Sequence, residues 1–144
     1  MRQLRGPHFL TAVTDGLPDS AVRDRMTELV SLQIPALEVA HRFGSSGHVV
    51  DVLSLALYCA ESIRESSLRD VLARTIEVGG DTDTIGSIVG QVAGTAVGSE
   101  GVPHGLVQNI DGADEVYVVA EKFAEFVARA AKDRIRVVDI RGCP

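Results

Sequence analysis

Residues 79–98 open with Gly79-Gly80-Asp81-Thr82-Asp83-Thr84 and continue Ile-Gly-Ser-Ile-Val-Gly-Gln-Val-Ala-Gly-Thr-Ala-Val-Gly. Two glycines let a chain leave one helix and reverse, because glycine alone enters left-handed backbone without steric cost. An Asp or Thr directly after such a turn suits the start of the next helix. From Gly86 onward glycine falls at every fourth position: Gly86, Gly90, Gly94 and Gly98. Each costs about 1 kcal/mol of helix propensity against alanine. A helix carries that cost when a side-chain-free strip lets another backbone come close. A flexible linker is the alternative, but Ile85, Ile88, Val89, Val92, Ala93, Ala96 and Val97 fill the remaining places. The expectation is a buried helix in a tightly packed bundle.

Upstream, Leu68, Val71, Leu72, Thr75 and Ile76 form an amphipathic stripe, started by Ser67 with Asp70 three residues on and ended by Gly79. Before it, a stretch from His48 or Val49 to Ile63 is apolar nearly all round, which predicts a central helix. Gly44-Ser45-Ser46-Gly47 predicts a loop. Pro35 opens a short helix to about Arg42, with Ala36, Leu37 and Ala40 inward, and Pro18-Asp19-Ser20 starts another carrying Val22, Met26, Leu29 and Val30. Residues 1–17 show no clean period. Downstream, 99–114 predicts a loop and Asp114 to Lys132 an amphipathic helix with Val116, Val119, Ala120, Phe123, Phe126, Val127 and Ala130 on one side. The tail 134–144 holds Ile135, Val137, Val138 and Ile140, which suit a short strand or a loose end. Nothing repeats and no boundary is visible, so the fold expected is all-α, a compact helical bundle in one domain over 1–144.

The chain's 144 residues are 45% apolar and only 4% aromatic, so the core must be aliphatic. A net charge of −6 argues against nonspecific nucleic-acid binding, which needs a basic face. Small phosphorylated ligands remain compatible with it. The longest uncharged apolar run, Ile85 to Ser99, is too short and glycine-rich to span a bilayer, and Met1 to Leu10 lacks the apolar stretch of a signal peptide. Cys59 and Cys143 show no pairing pattern. The expectation is a soluble, cytoplasmic protein with reduced thiols and no membrane contact.

Chemistry concentrates in the 79–84 turn. Asp81, Asp83 and Thr84 offer two carboxylates and a hydroxyl within four residues, oxygen donors suited to hard cations such as Mg²⁺, Mn²⁺ or Ca²⁺ rather than zinc. The same residues also fit a plain helix cap, although a cap needs one such side chain and this turn has four in a row. His8, His41, His48 and His104 show no metal spacing, and no nucleophile arrangement appears.

The run Gly79 to Ile85, the glycines at 90, 94 and 98, and Val102-Pro103 resemble the C-terminal signature of the ADP-ribosylglycohydrolase family (the dinitrogenase-reductase-activating glycohydrolase group). Gly44 to Val50 with the Ala56-Leu57-Tyr58 helix is similar to the family segment upstream of it, so the resemblance covers about residues 10–130. It implies an all-α fold holding two Mg²⁺ or Mn²⁺ ions, and hydrolysis of the bond between ADP-ribose and a modified protein side chain or related acceptor. It implies Asp81, Asp83 and Thr84 as metal ligands, and Ser46, Gly47 and His48 as a loop near ADP-ribose. The catalytic residues are not assigned.

The family's other metal ligands come from an N-terminal Gly-Asp-Ala-type opening and a Thr-Asp-Asp run, and nothing in this chain matches either. Mg²⁺ asks for six oxygens in near-octahedral array, and Asp81, Asp83 and Thr84 leave at least three positions open. The site is therefore expected to be completed by a second chain, a separate N-terminal half or upstream sequence. The alternatives are an inactive remnant that binds metal or ADP-ribose weakly, and an interaction protein with an exposed apolar face.

Overall fold

The computed structural model describes residues 9–140, with side chains through residue 131. Helices and the turns that join them make up the described residues, with no strand among them. In chain order the helices are α1 (Phe9–Gly16), α2 (Ala21–Val30), α3 (Ala36–Phe43), α4 (Val49–Glu61), α5 (Leu68–Glu77), α6 (Thr82–Val97), α7 (His104–Val107) and α8 (Ala113–Ile140). Single 3-10 turns occupy Ser62–Arg64 and Ser99–Gly101. The chain divides into two compact units, Met1–Pro103 and His104–Pro144.

The first unit is organised around α4, which packs against α1, α2, α3, α5 and α6. Leu55, Ala56, Leu57, Cys59 and Ala60 of α4 meet Met26 and Leu29 from α2, Val39 from α3, Val71 from α5, and Ile85 and Val89 from α6. All of these are buried, and each fully buried large aliphatic side chain contributes about 1.5–3 kcal/mol of transfer free energy. The starts of α2 and α5 are set by side-chain oxygens. Ser20 Oγ accepts from the Arg23 amide at 3.3 Å, and Ser67 Oγ accepts from the Asp70 amide at 3.2 Å. Ser67 Oγ in turn donates to Asp70 Oδ2 at 2.7 Å, so the Asp70 carboxylate meets the cap through the Ser67 hydroxyl. The Tyr58 hydroxyl donates to the Ile34 carbonyl at 2.7 Å and pins the α2–α3 connection to α4.

Several sequence expectations are corrected. α1 lies where no period was visible, with Leu10 and Thr14 buried one turn apart. In α3, Val39 and Ala40 face inward and Leu37 is 46% exposed, because a helix of eight residues presents only a narrow buried edge. Ile76, expected on the buried stripe of α5, is exposed, whereas Leu68, Val71 and Thr75 are buried. The loop 99–114 contains a 3-10 turn and the one-turn α7. Residues 134–140 continue α8 as helix: propagating a helix costs little once it has started, and no breaker precedes Gly142.

The largest correction concerns α6. Its buried row is Ile85, Val89 and Ala93 alone. No backbone closes on the glycine strip among the described residues: a Cβ built at Gly86 or Gly94 would meet nothing within 4 Å, and one at Gly90 would meet only Leu72 Cδ2 at 3.9 Å. α6 is one-sided, buried along a single row and open along its glycines.

In the second unit, α8 carries Val116, Val119, Phe123, Phe126 and Val127 exposed, and Arg129 pairs with Glu125 one turn earlier at 3.1 Å. No described helix is long and apolar enough to cross a membrane.

Candidate metal centre

α5 ends at Val78 and the backbone turns through Gly79 (φ 76°) and Gly80 (φ 74°), both left-handed. Asp81 then caps α6, its Oδ1 accepting from the Thr84 amide at 3.3 Å. The capping role is therefore real, and it uses only one of the four oxygens that Asp81 and Asp83 offer. Asp83 sits in the first turn, where the helix dipole favours negative charge. Asp83 and Thr84 are exposed, and neither Asp81 nor Asp83 forms an ion pair among the described residues.

The structure brings the other sequence-predicted segment to this turn. The loop between α3 and α4 runs beside it, with the Ser45 carbonyl accepting from the Asp81 amide at 2.9 Å. The approach depends on two glycines. A Cβ at Gly80 would overlap the Ser45 carbonyl and hydroxyl oxygens and lie 2.7 Å from Ser45 Cβ. A Cβ at Gly47 would lie 3.2 Å from Asp81 Oδ2. Ser46 and His48 are exposed beside this contact, with Ser46 Oγ accepting from the His48 amide at 3.2 Å.

The loop itself is held by residues the sequence reading passed over. Ser46 Oγ donates to Asp51 Oδ2 at 2.8 Å, and Asp51 Oδ1 faces Arg25 Nη1 at 3.6 Å. The same Arg25 nitrogen donates to the Phe43 carbonyl at 3.1 Å, and the guanidinium lies 4.8 Å from the Phe43 ring centroid. Gly44 (φ 98°) leaves the space that the Asp51 carboxylate fills, since a Cβ there would sit 2.9 Å from Oδ2. Asp51 was visible in principle: it is the single charge between Val49 and Ala60, and a charge in an apolar helix needs a partner.

Oxygen donors from one helical turn, uncompensated by any cation among the described residues, fit a hard divalent ion. They fit as part of a coordination shell only, because no group of three His, Cys, Asp or Glu side chains converges anywhere among the described residues. His41, His48 and His104 are exposed and dispersed, and His8 lies outside the described residues.

A model of the ADP-ribosylglycohydrolase family matches residues 3–134, running through both units. The chain belongs to that family. Among curated relatives, ADP-ribosylhydrolase ARH3 of Mus musculus is 30% identical over a match covering 72% of this chain and 31% of the relative. ARH3 of Bos taurus is 32% identical over 58% of this chain and 26% of its own length, and ARH3 of Homo sapiens is 30% identical over the same shares. This ADP-ribosylglycohydrolase chain thus spans between a quarter and a third of the curated relatives it matches. No solved structure matches it.

Proposed function

We propose that this chain supplies the C-terminal part of the divalent-metal site of an ADP-ribosyl hydrolase. The observation that carries the reading is the docking of the 44–48 loop on the 79–84 turn, which sets three oxygen-bearing side chains beside a glycine-lined loop. Asp81, Asp83 and Thr84 would hold Mg²⁺ or Mn²⁺, two ions in a complete site, and such ions polarise a scissile centre and orient bound hydroxyls. Gly47, lacking a side chain, leaves Asp81 Oδ2 open on the loop side. Ser46 and His48 stand exposed where an ADP-ribosyl group would lie against the loop. The substrate class is an ADP-ribosylated protein or a small ADP-ribose-containing molecule. The remaining ligands come from a second chain or from a further segment of the same protein. A buried, unpaired Cys59 suits the reducing cytoplasm this reading assumes.

A second reading follows from the two-carboxylate limit of the described site: the chain alone is an inert, weak metal binder. Titration with Mn²⁺ followed by water-proton relaxation tests the ligand assignment, with Asp81→Asn and Asp83→Asn each weakening binding by about tenfold or more. Adding a candidate N-terminal half and measuring ADP-ribose release tests the activity. Binding unaffected by both substitutions would remove the ligand assignment. Release in no combination would leave the inert reading standing.

A further inference from the structure

Arg25 and Asp51 lie on different helices, 26 positions apart in sequence, and neither belongs to the ligand turn. Both converge on the loop that touches it. Arg25 Nη1 reaches the Phe43 carbonyl at 3.1 Å and Asp51 Oδ1 at 3.6 Å. Asp51 Oδ2 accepts from Ser46 Oγ at 2.8 Å, and the next residue back, Ser45, gives its carbonyl to the Asp81 amide at 2.9 Å. The side chains of Arg25 and Asp51 are only 23% and 20% exposed, so the pair is shielded from solvent more than a surface ion pair. Gly44, lacking a Cβ, makes the room that Asp51 Oδ2 occupies against the loop. A partly buried charge at the start of an apolar helix is costly unless it is paired, and every described partner of Asp51 is a group of this loop or Arg25.

We propose that Arg25 and Asp51 act as positioning residues for the metal turn: α2, through them, fixes the 44–48 loop whose Ser45 carbonyl holds Asp81 at the start of α6. The inference rests on the ligand role given to Asp81 above for its functional meaning, but the mechanical link can be measured without any ion. Metal sites need their ligands held by outer groups, and loss of such support typically lowers metal affinity by about 10- to 100-fold.

The test is amide hydrogen exchange, read by NMR on the full chain, for wild type, Arg25→Met, Asp51→Asn and Arg25→Lys. Arg25→Met and Asp51→Asn are expected to speed exchange of the Asp81 amide by about tenfold, the scale of one lost hydrogen bond, while the Leu55 and Val89 amides stay within about twofold. Arg25→Lys keeps the charge and loses the fork, so it falls between wild type and Arg25→Met and remains informative where Arg25→Met does not fold. Unchanged Asp81 exchange in the folded variants overturns the proposal, as does an equal rise at Asp81, Leu55 and Val89, which would mark a general structural role. Mn²⁺ titration of the same proteins separates the two ideas. If Asp81→Asn abolishes binding and Arg25→Met leaves it unchanged, the strut is refuted and the ligand reading stands. If Asp81→Asn and Asp83→Asn leave Mn²⁺ binding unchanged but Asp81 exchange responds to Arg25→Met, the strut stands and the ligand reading falls.

Discussion

Replacing Gly80 by alanine probes the join between loop and turn most directly. Gly80 has φ 74°, a region that costs a non-glycine residue about 1–2 kcal/mol. Its new Cβ would also overlap the Ser45 carbonyl, so turn and loop must part and the Asp81–Ser45 hydrogen bond, worth about 0.5–1.5 kcal/mol, is lost. The sum is about 1.5–3.5 kcal/mol, or a fall in melting temperature of about 5–10 °C for a chain of this size. Gly79→Ala is the internal control. Its φ of 76° incurs the same backbone strain, but its Cβ would meet nothing within 4 Å. Gly79→Ala is therefore expected to cost about 1–2 kcal/mol, roughly half as much. Thermal melts followed by circular dichroism at the helix band measure the difference, and Mn²⁺ titration of both variants asks whether affinity falls only when the join is broken. Equal melting temperatures for the two variants would refute the idea that the loop presses on the turn at residue 80.

Other outcomes follow from single buried groups. Ser54 is 1% exposed on α4 and its hydroxyl has no hydrogen-bond partner among the described residues. Ser54→Ala is expected to raise stability by about 1 kcal/mol in urea denaturation, and a destabilised variant would mean the hydroxyl is satisfied. Burial pushes the Cys59 thiol from 9.0 up to about 11, against a smaller opposing effect of its hydrogen bond with Thr75. The folded state thus keeps its proton where the unfolded state has lost it. The stabilisation is fully present below pH 9 and drains away towards pH 11, by about 2–3 kcal/mol in all. Subtracting the pH profile of Cys59→Ala from that of wild type isolates this slope, and a flat difference would contradict it. The native thiol should also resist alkylation at pH 8 until the chain unfolds.

What could be read from the sequence was local. Ser20, Ser67 and Gly79 stand where the chain's own punctuation put them, since a cap or a left-handed glycine depends on its neighbours within one turn. The Gly79–Gly80 turn and the Asp81 cap that follows it were legible for the same reason. The contact between Ser45 and Asp81 was not, because nothing in either segment's composition specifies the other; family resemblance alone grouped them. Arg25 reads simply as a polar position on α2, and its role exists only once α2, α4 and the loop are assembled. The misreadings are equally physical. Glycines at four-residue spacing permit a close neighbour without supplying one, so α6 satisfies the pattern while leaving the strip open. In 134–140 the β-branched residues favour strand only weakly against a helix already twenty residues long.

The one-sided burial of α6 also sets the order in which that helix unzips. Its last buried residue, Ala93, lies a full turn before the end at Val97, and the stretch beyond it has neither core contacts nor favourable propensity at Gly94. Its first turn is fastened three times over, by the Asp81 cap, by the Ser45 carbonyl and by Ile85 in the core. Fraying therefore starts at the far end and stops short of the carboxylates. Compliance is concentrated at the end of α6 remote from Asp81, Asp83 and Thr84, so strain that reaches the helix from that side dissipates before it reaches those residues.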